Sequence, residues 1–171
     1  KRFMKAFGRL YQRLDSTTST NLKVKALVQY FQEIPPQDAA WGLNLLLGKR
    51  QRRIVTSRML RDAFLRSFPD FPEWLLEESY GHVGDTGETV SLLLASRGIC
   101  PNESQHSVSL SSWMEDRISK LSGKEDQQRA EKIFEWWSSL SVDECYLLNK
   151  LLTGGLRVGV SQKLVVRALS K

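Results

Sequence analysis

An internal repeat is the feature that most constrains how this chain folds: the same pattern of helix, turn and helix occurs twice, about a hundred residues apart. Without a gap, residues 41–47 align with residues 146–152, and the equivalence continues through the turn that follows. The other matched pairs are Val28 with Ile133, Phe31 with Trp136, Asp38 with Asp143, Arg52 with Arg157, Val55 with Val160, Thr56 with Ser161, Arg58 with Lys163 and Ala63 with Ala168. Any two amphipathic hairpins would align on their leucines, but not on an arginine, a hydroxyl and a second basic residue. We therefore expect two similar helical units.

The turn of the second copy has the composition of an anion-binding site. Gly154 and Gly155 suit the left-handed conformation that ends a helix, and Ser161 suits the N-cap of the next helix. The start of that helix would gather backbone N–H groups, a hydroxyl, Arg157 and Lys163, and the helix dipole adds positive potential at the same place. The alternative is a plain corner whose glycines serve only the turn.

The turn of the first copy is more basic. Residues 49–53 contain four cations, and Thr56 follows as the predicted N-cap of a helix. Such crowding is unfavourable unless water or an anion screens the charges. Because the repeat matches Thr56 with Ser161, the pattern favours contact with phosphate over a merely solvated loop. This copy lacks counterparts of the glycine pair and of Gly159, so its turn is expected to use side chains.

A third basic helix start lies near the beginning of the chain. Residues 16–21 are a polar turn that includes Thr20, and Lys23 follows near the start of the next predicted helix. A cation at this position opposes the helix dipole, and an external phosphate would offset that cost. A solvated cap is the alternative interpretation.

Apolar residues recur at helical spacing along the whole chain, and no useful run alternates as a strand would. The sequence therefore predicts an all-α fold of about ten helices, in two sequence-related halves. We expect a single helical domain over residues 1–171, with halves at about 1–97 and 111–171 and a linker at 98–110, which is rich in Gly, Pro and Ser.

Several local expectations follow from the same patterns. Residues 39–47 are apolar nearly all round and are predicted to be a central buried helix, and Leu22 is predicted to face the core. Ser112 and Ser141 each open a capping-box pattern and are predicted to start helices. Asp85 is predicted to cap a helix rather than to act in acid/base catalysis.

Composition limits the chemistry that is available. The formal net charge of +6 favours a polyanionic partner without establishing one. Cys100 and Cys145 lack the spacing of a metal or redox motif, and with only two histidines no zinc set emerges. This cysteine usage fits a reducing cytoplasm, with Cys145 as a buried apolar residue. No apolar run approaches the roughly 20 residues that a membrane helix needs.

Three stretches of the sequence resemble motifs of one known family. The run Leu-Thr-Gly-Gly-Leu-Arg-Val-Gly-Val-Ser at 152–161 resembles a closing LRxGV signature, and Gly-Asp-Thr-Gly-Glu-Thr at 84–89 resembles a GDxxE segment. The opening residues 7–27, with their Ser/Thr-rich turn, fit as well. The chain thus resembles, over nearly its whole length, the N-terminal DNA-binding domain of ATP-dependent DNA ligases. It is most similar to the bacterial ligases that carry this domain ahead of the catalytic core.

This resemblance implies a helical, monomeric domain that holds nicked double-stranded DNA by its backbone across the minor groove while the ligase core seals the nick. It implies a cytoplasmic bacterial protein, associated with the nucleoid and acting in DNA repair or replication, whose partners are DNA and its own catalytic core rather than a membrane. ATP and Mg²⁺ are implied for the core. The lysyl-adenylate motif K-x-D-G is not present here, because the nearest string, Lys-Glu-Asp at 124–126, is followed by Gln127. The chain itself is therefore predicted to be non-catalytic and to hold no cofactor.

The DNA-binding residues are predicted from three sources. The resemblance implies phosphate contact by Gly155, Arg157, Gly159, Ser161, Gln162 and Lys163. The internal repeat adds Arg50, Arg52, Arg53, Thr56 and Arg58, and the first polar turn adds Thr20 and Lys23.

Two other functions fit the residues alone. A helical protein-interaction scaffold would use the paired hairpins as a stacked repeat with an apolar groove. A sequence-specific helix-turn-helix regulator would place a recognition helix in the major groove. The helix after Ser161 offers few base-reading side chains for that purpose beyond Gln162, Lys163 and Arg167.

Overall fold

The structure, a computed structural model, describes residues 3–48, 53–105 and 107–171. Within these residues it is helical, as predicted, and contains no strand. The ten α-helices are α1 (Phe3–Asp15), α2 (Thr20–Glu33), α3 (Pro36–Leu46), α4 (Ser57–Ser67), α5 (Glu73–Val83), α6 (Thr86–Ser96), α7 (Leu110–Ser112), α8 (Asp126–Ser139), α9 (Val142–Thr153) and α10 (Gln162–Leu169). A π-helical segment, Trp113–Ile118, and a 3₁₀ turn, Ser119–Leu121, follow α7.

The helices group into two compact units, each assembled from both copies of the repeat. Unit 1 contains α1, α2, α3, α7 and α10, and unit 2 contains α4, α5, α6, α8 and α9. In the alignment, α2, α3 and α4 of the first copy correspond to α8, α9 and α10 of the second. In unit 1 α10 packs on α2, and in unit 2 α4 packs on α8. The last helix of each copy therefore packs against the first helix of the other copy.

The buried residues explain why this exchange is possible. Leu60 and Ala63 of α4 are buried, and so are their counterparts Val165 and Ala168 of α10. The two helices therefore bury part of the same apolar face against the first helix of the other copy, although Phe64 is fully buried and its counterpart Leu169 is 52% exposed. Duplication of the sequence thus provides two similar surfaces.

Two expectations about unit 1 are wrong. Leu22 does not face the core: it is 56% exposed because it lies in the solvent-facing first turn of α2, and Val24 and Leu27 are buried instead. The helix at 39–47 is not buried all round, since Ala40 is exposed and α3 buries one face only.

A buried carboxylate determines where α7 begins. Asp38 of α3 is 1% exposed and accepts hydrogen bonds from the backbone amides of Leu110 (3.3 Å) and Ser111 (2.9 Å). The hydroxyl of Ser109 accepts the amide of Ser112 at 3.1 Å. Ser109, rather than the predicted Ser112, is therefore the N-cap, because Asp38 and Ser109 together satisfy the amides that open this helix.

The contact between α2 and α3 has no room for one more carbon atom. A Cβ placed on Gly42 would lie 2.9 Å from Tyr30 Oη and 3.0 Å from Tyr30 Cε1. The Tyr30 ring is 4% exposed, and its hydroxyl has no hydrogen-bond partner among the residues that the structure describes. Burial, with a smaller contribution from the charge of Asp38, raises the pKa of this phenol above its ordinary value. The neutral hydroxyl of Tyr30 is thus buried without a hydrogen bond to compensate for the loss of contact with water.

We expect Gly42→Ala to lower the free energy of unfolding by about 1–3 kcal/mol, because overpacking outweighs the gain in helix propensity. Tyr30→Phe should be neutral or slightly stabilising, since it removes an unpaired buried hydroxyl. In the Tyr30→Phe background, Gly42→Ala should cost less, because the closest atom is gone. Urea unfolding of the two single variants and the double variant measures this; strictly additive effects would contradict the proposed clash.

A buried polar network joins α6 to α9 in unit 2. Asn149, 0% exposed, donates through Nδ2 to the carbonyl of Gly87 at 3.0 Å and accepts from Trp137 Nε1 at 2.8 Å. Next to it, Lys150 pairs with Asp85, whose carboxylate also caps α6. Burial raises the pKa of Asp85, but Lys150 and the capping amides outweigh it and lower the pKa overall. The motif at 84–89 thus caps α6 and fastens it to α9.

Candidate nucleic-acid interface

The predicted DNA-binding residues are distributed over both units. Unit 1 contains Thr20, Lys23, Arg157, Gly159, Ser161, Gln162 and Lys163. Unit 2 contains Arg53, Thr56, Arg58 and Gly155. Two of the predicted residues, Arg50 and Arg52, lie outside the described residues.

The start of α10 has the capped geometry that the sequence predicts. Ser161 is the N-cap, with an extended backbone, and its hydroxyl accepts the amide of Leu164 at 3.3 Å. Gln162 and Lys163 occupy the first two helical positions and are exposed, as is Arg157 in the preceding turn. A helix leaves its earliest amides without intrahelical partners, so the helix start combines N–H donors, a hydroxyl and two cations.

The start of α4 repeats this geometry in unit 2. Thr56 is the N-cap, and its hydroxyl accepts the amide of Met59 at 3.1 Å. Met59 is the repeat equivalent of Leu164, so the two hydroxyls cap the same position of their helices. Arg58 lies at the second helical position and is exposed, as is Arg53 before the cap. The repeat therefore extends from sequence to capping geometry.

A lysine holds the turn before α10 in place. Lys23 of α2 donates through Nζ to the carbonyl of Gly159 at 2.8 Å, across 136 residues of sequence. A Cβ on Gly159 would lie 3.3 Å from that Nζ, so glycine lets the amine approach. Near the other end of α10, Arg167 Nη2 donates to Asn21 Oδ1 at 3.5 Å. The α2 start, with Thr20 and Lys23, is thereby brought together with the α10 start.

In unit 2 an arginine holds the turn before α4 in place. Arg129 of α8 donates through Nη1 to the carbonyl of Ile54 at 3.5 Å and through Nε to that of Leu121 at 3.1 Å. Ile54 is the repeat equivalent of Gly159. Each of the helices α4 and α10 is thus preceded by a backbone carbonyl that accepts a hydrogen bond from a cation. That cation belongs to the helix on which α4 or α10 packs. Arg129 is not predictable from the sequence, because no local pattern marks a contact between residues 75 positions apart.

The helices of the predicted site differ from most of the other helices in the charge of their first turns. The first turns of α2, α4 and α10 contain no acidic residue, a feature that they share with α1 and the short α7. The first turns of α3, α5, α6, α8 and α9 each contain at least one, the arrangement that best complements the helix dipole. The three site helices therefore keep uncompensated positive potential at their starts.

The two glycines after α9 differ in conformation. Gly154 adopts the left-handed conformation, with φ of 66°, and ends α9. Gly155 does not, although its amide donates to the carbonyl of Lys150 at 3.0 Å. Only one of the two positions therefore requires the conformational freedom of glycine.

The described residues offer no set of ligands for a catalytic metal. No group of three or more His, Cys, Asp or Glu side chains comes together in the described part of the chain. The sequence also lacks K-x-D-G, so no step of adenylate transfer is assigned to these residues. None of the described helices is long and apolar enough to cross a membrane.

The chain matches a known protein family over nearly its whole length. The family described as "DNA ligase N terminus" matches residues 2–170. None of the curated proteins compared with the chain matches it.

Proposed function

Because the chain belongs to the family of DNA ligase N-terminal domains, which occur in ATP-dependent DNA ligases, we propose that it binds nicked duplex DNA without sequence preference. Binding is proposed to take place through the phosphate backbone and the minor groove. The observation that carries this proposal is the absence of acidic residues from the first turns of α2, α4 and α10. Phosphate is the ligand that such helix starts favour, since amides, dipole and flanking cations all attract an anion.

We assign the residues different roles. Contact with phosphates is proposed for Thr20, Arg157, Ser161, Gln162 and Lys163 in unit 1, and for Arg53, Thr56 and Arg58 in unit 2. Arg50 and Arg52 join them on the strength of the repeat alone. Lys23 is a positioning residue, because its amine is engaged by the carbonyl of Gly159. Gly155 and Gly159 contribute by leaving the backbone accessible.

The chemistry of nick sealing is proposed to reside in a ligase core that supplies the adenylated lysine, ATP and Mg²⁺. On the sequence resemblance alone, we further propose a bacterial ligase that acts as a monomer in the cytoplasm, in DNA repair or replication. The contribution of this domain is to hold the nicked duplex for that core.

The helix-turn-helix alternative is less well supported by the geometry of α10. This helix has eight residues, and Arg167, one of its three candidate base-reading residues, contacts Asn21 of α2. A recognition helix needs several side chains free to reach base edges. The geometry therefore favours backbone binding over base reading.

Binding of the chain to nicked and intact duplexes of two unrelated sequences, measured across a salt series, tests the proposal. For the six cations proposed to contact phosphates, affinity should fall by about a thousandfold between roughly 50 and 200 mM salt, equally for both sequences. A preference of more than about tenfold for one sequence would favour the regulator. No binding even at low salt would remove DNA as the direct partner and favour the scaffold.

A further inference from the structure

Two cysteines that are 45 residues apart in sequence face each other in unit 2. Cys100 Sγ and Cys145 Sγ are 3.5 Å apart, and both thiols are free. Cys145 is fully buried near the start of α9, whereas Cys100 is half-buried in the segment after α6. Cys100 is thus the more accessible of the two cysteines.

The segment that carries Cys100 is fastened to the junction of α8 and α9. The amide of Ser141 donates to Ser104 Oγ at 2.9 Å, and the amide of Gln105 donates to the carbonyl of Ser139 at 2.9 Å. Ser139 and Ser141 lie a few residues before Cys145 in sequence, and Ser104 and Gln105 lie a few residues after Cys100. The sulfur pair is therefore preorganised by the fold, and little movement is needed to join them.

The surroundings give the two thiols different reactivity. A hydrogen bond from the Cys145 thiol lowers the pKa of Cys100 below its ordinary value, against the opposing effect of partial burial. The same interaction, together with burial, raises the pKa of Cys145. Cys145 Sγ also lies 3.5 Å from the carbonyl oxygen of Trp137, which can accept a hydrogen bond from the thiol. Because the thiolate is the nucleophile, Cys100 should react first.

We propose that Cys100 and Cys145 form an oxidation site, at which a peroxide converts the dithiol into an intramolecular disulfide. The Cys100 thiolate attacks one peroxide oxygen, which breaks the O–O bond, forms a sulfenic acid and releases water after protonation. The Cys145 sulfur then attacks Cys100 Sγ, which forms the S–S bond and expels a second water. Both sulfurs lose one electron each, and the peroxide gains two. Thiols reduce the bond again.

The test uses the folded chain, hydrogen peroxide and intact-mass spectrometry after alkylation in denaturant. The oxidised wild type should be about 2 Da lighter than the reduced chain, and neither cysteine should be alkylated. Dithiothreitol should restore both alkylation sites. The reaction should be at least about tenfold faster in the folded chain than in urea, because the fold holds the sulfurs together. Oxidation should also raise the melting temperature by several degrees, since it closes a loop.

Cys100→Ser provides the matched control, because it removes the accessible thiol at a half-buried position. Its Cys145 should stay reduced and alkylatable under the same peroxide exposure. Cys145→Ala should leave Cys100 to accumulate as sulfenic or sulfinic acid, and circular dichroism shows whether each variant is folded. Two outcomes would overturn the proposal: wild-type Cys145 remaining alkylatable while Cys100 is overoxidised, or disulfide formation no faster in the folded chain than in urea.

Discussion

Arg157→Glu is expected to weaken binding of the chain to nicked duplex DNA by about ten- to a hundredfold at low salt, the largest effect on affinity that we predict for one substitution. Arg157 is exposed in the turn that leads to Ser161, where the start of α10 offers amides and a hydroxyl to the same anion. Reversing its charge removes one of the proposed phosphate contacts and adds repulsion. The slope of log affinity against log salt should therefore become shallower by about one.

Arg9→Glu is the matched control for this substitution. Arg9 is exposed on α1 in the same unit, outside the proposed contacts, and the change in net charge is the same. It should lower affinity by no more than a few-fold, through long-range electrostatics that salt screens. Equal weakening by both substitutions would show that the chain binds DNA through its overall charge rather than through the α10 start.

Asn149→Leu is expected to lower the free energy of unfolding by about 3 kcal/mol, the largest effect on stability that we predict. Asn149 is fully buried and bridges Trp137 Nε1 to the carbonyl of Gly87. Leucine has a similar volume but makes neither bond, so a buried donor and a buried acceptor lose their partner. Each such group costs about 1–3 kcal/mol.

The repeat supplies the control for this prediction. Asn44 is the equivalent of Asn149 in the first copy, but it is half-buried on α3 and has no hydrogen bond through its side chain to any described residue. Asn44→Leu should therefore change the free energy of unfolding by less than about 1 kcal/mol. Urea unfolding followed by circular dichroism measures both variants. If the two substitutions cost the same, the bridge between α6 and α9 does not stabilise the fold.

Helices and their caps were largely predictable from the sequence. The hydroxyls of Thr56 and Ser161 cap α4 and α10 as expected, because a capping bond joins residues three positions apart and leaves a local pattern. The cap of α7 was not predictable in the same way. It depends on Asp38, which is more than seventy residues away in sequence. Local rules identify a helix start only where the partner is local.

The sequence by itself determined the helical class, the duplication and the two capped turns, since each rests on periodicity or on contacts within one turn of helix. Only the tertiary structure decided that α10 packs on α2 and α4 on α8, that Lys23 and Arg129 hold equivalent carbonyls, and that Cys100 faces Cys145. The two copies share much of their apolar pattern, so the pattern does not distinguish packing within a copy from packing between copies. That choice depends on side-chain complementarity between residues distant in sequence, which no local pattern encodes.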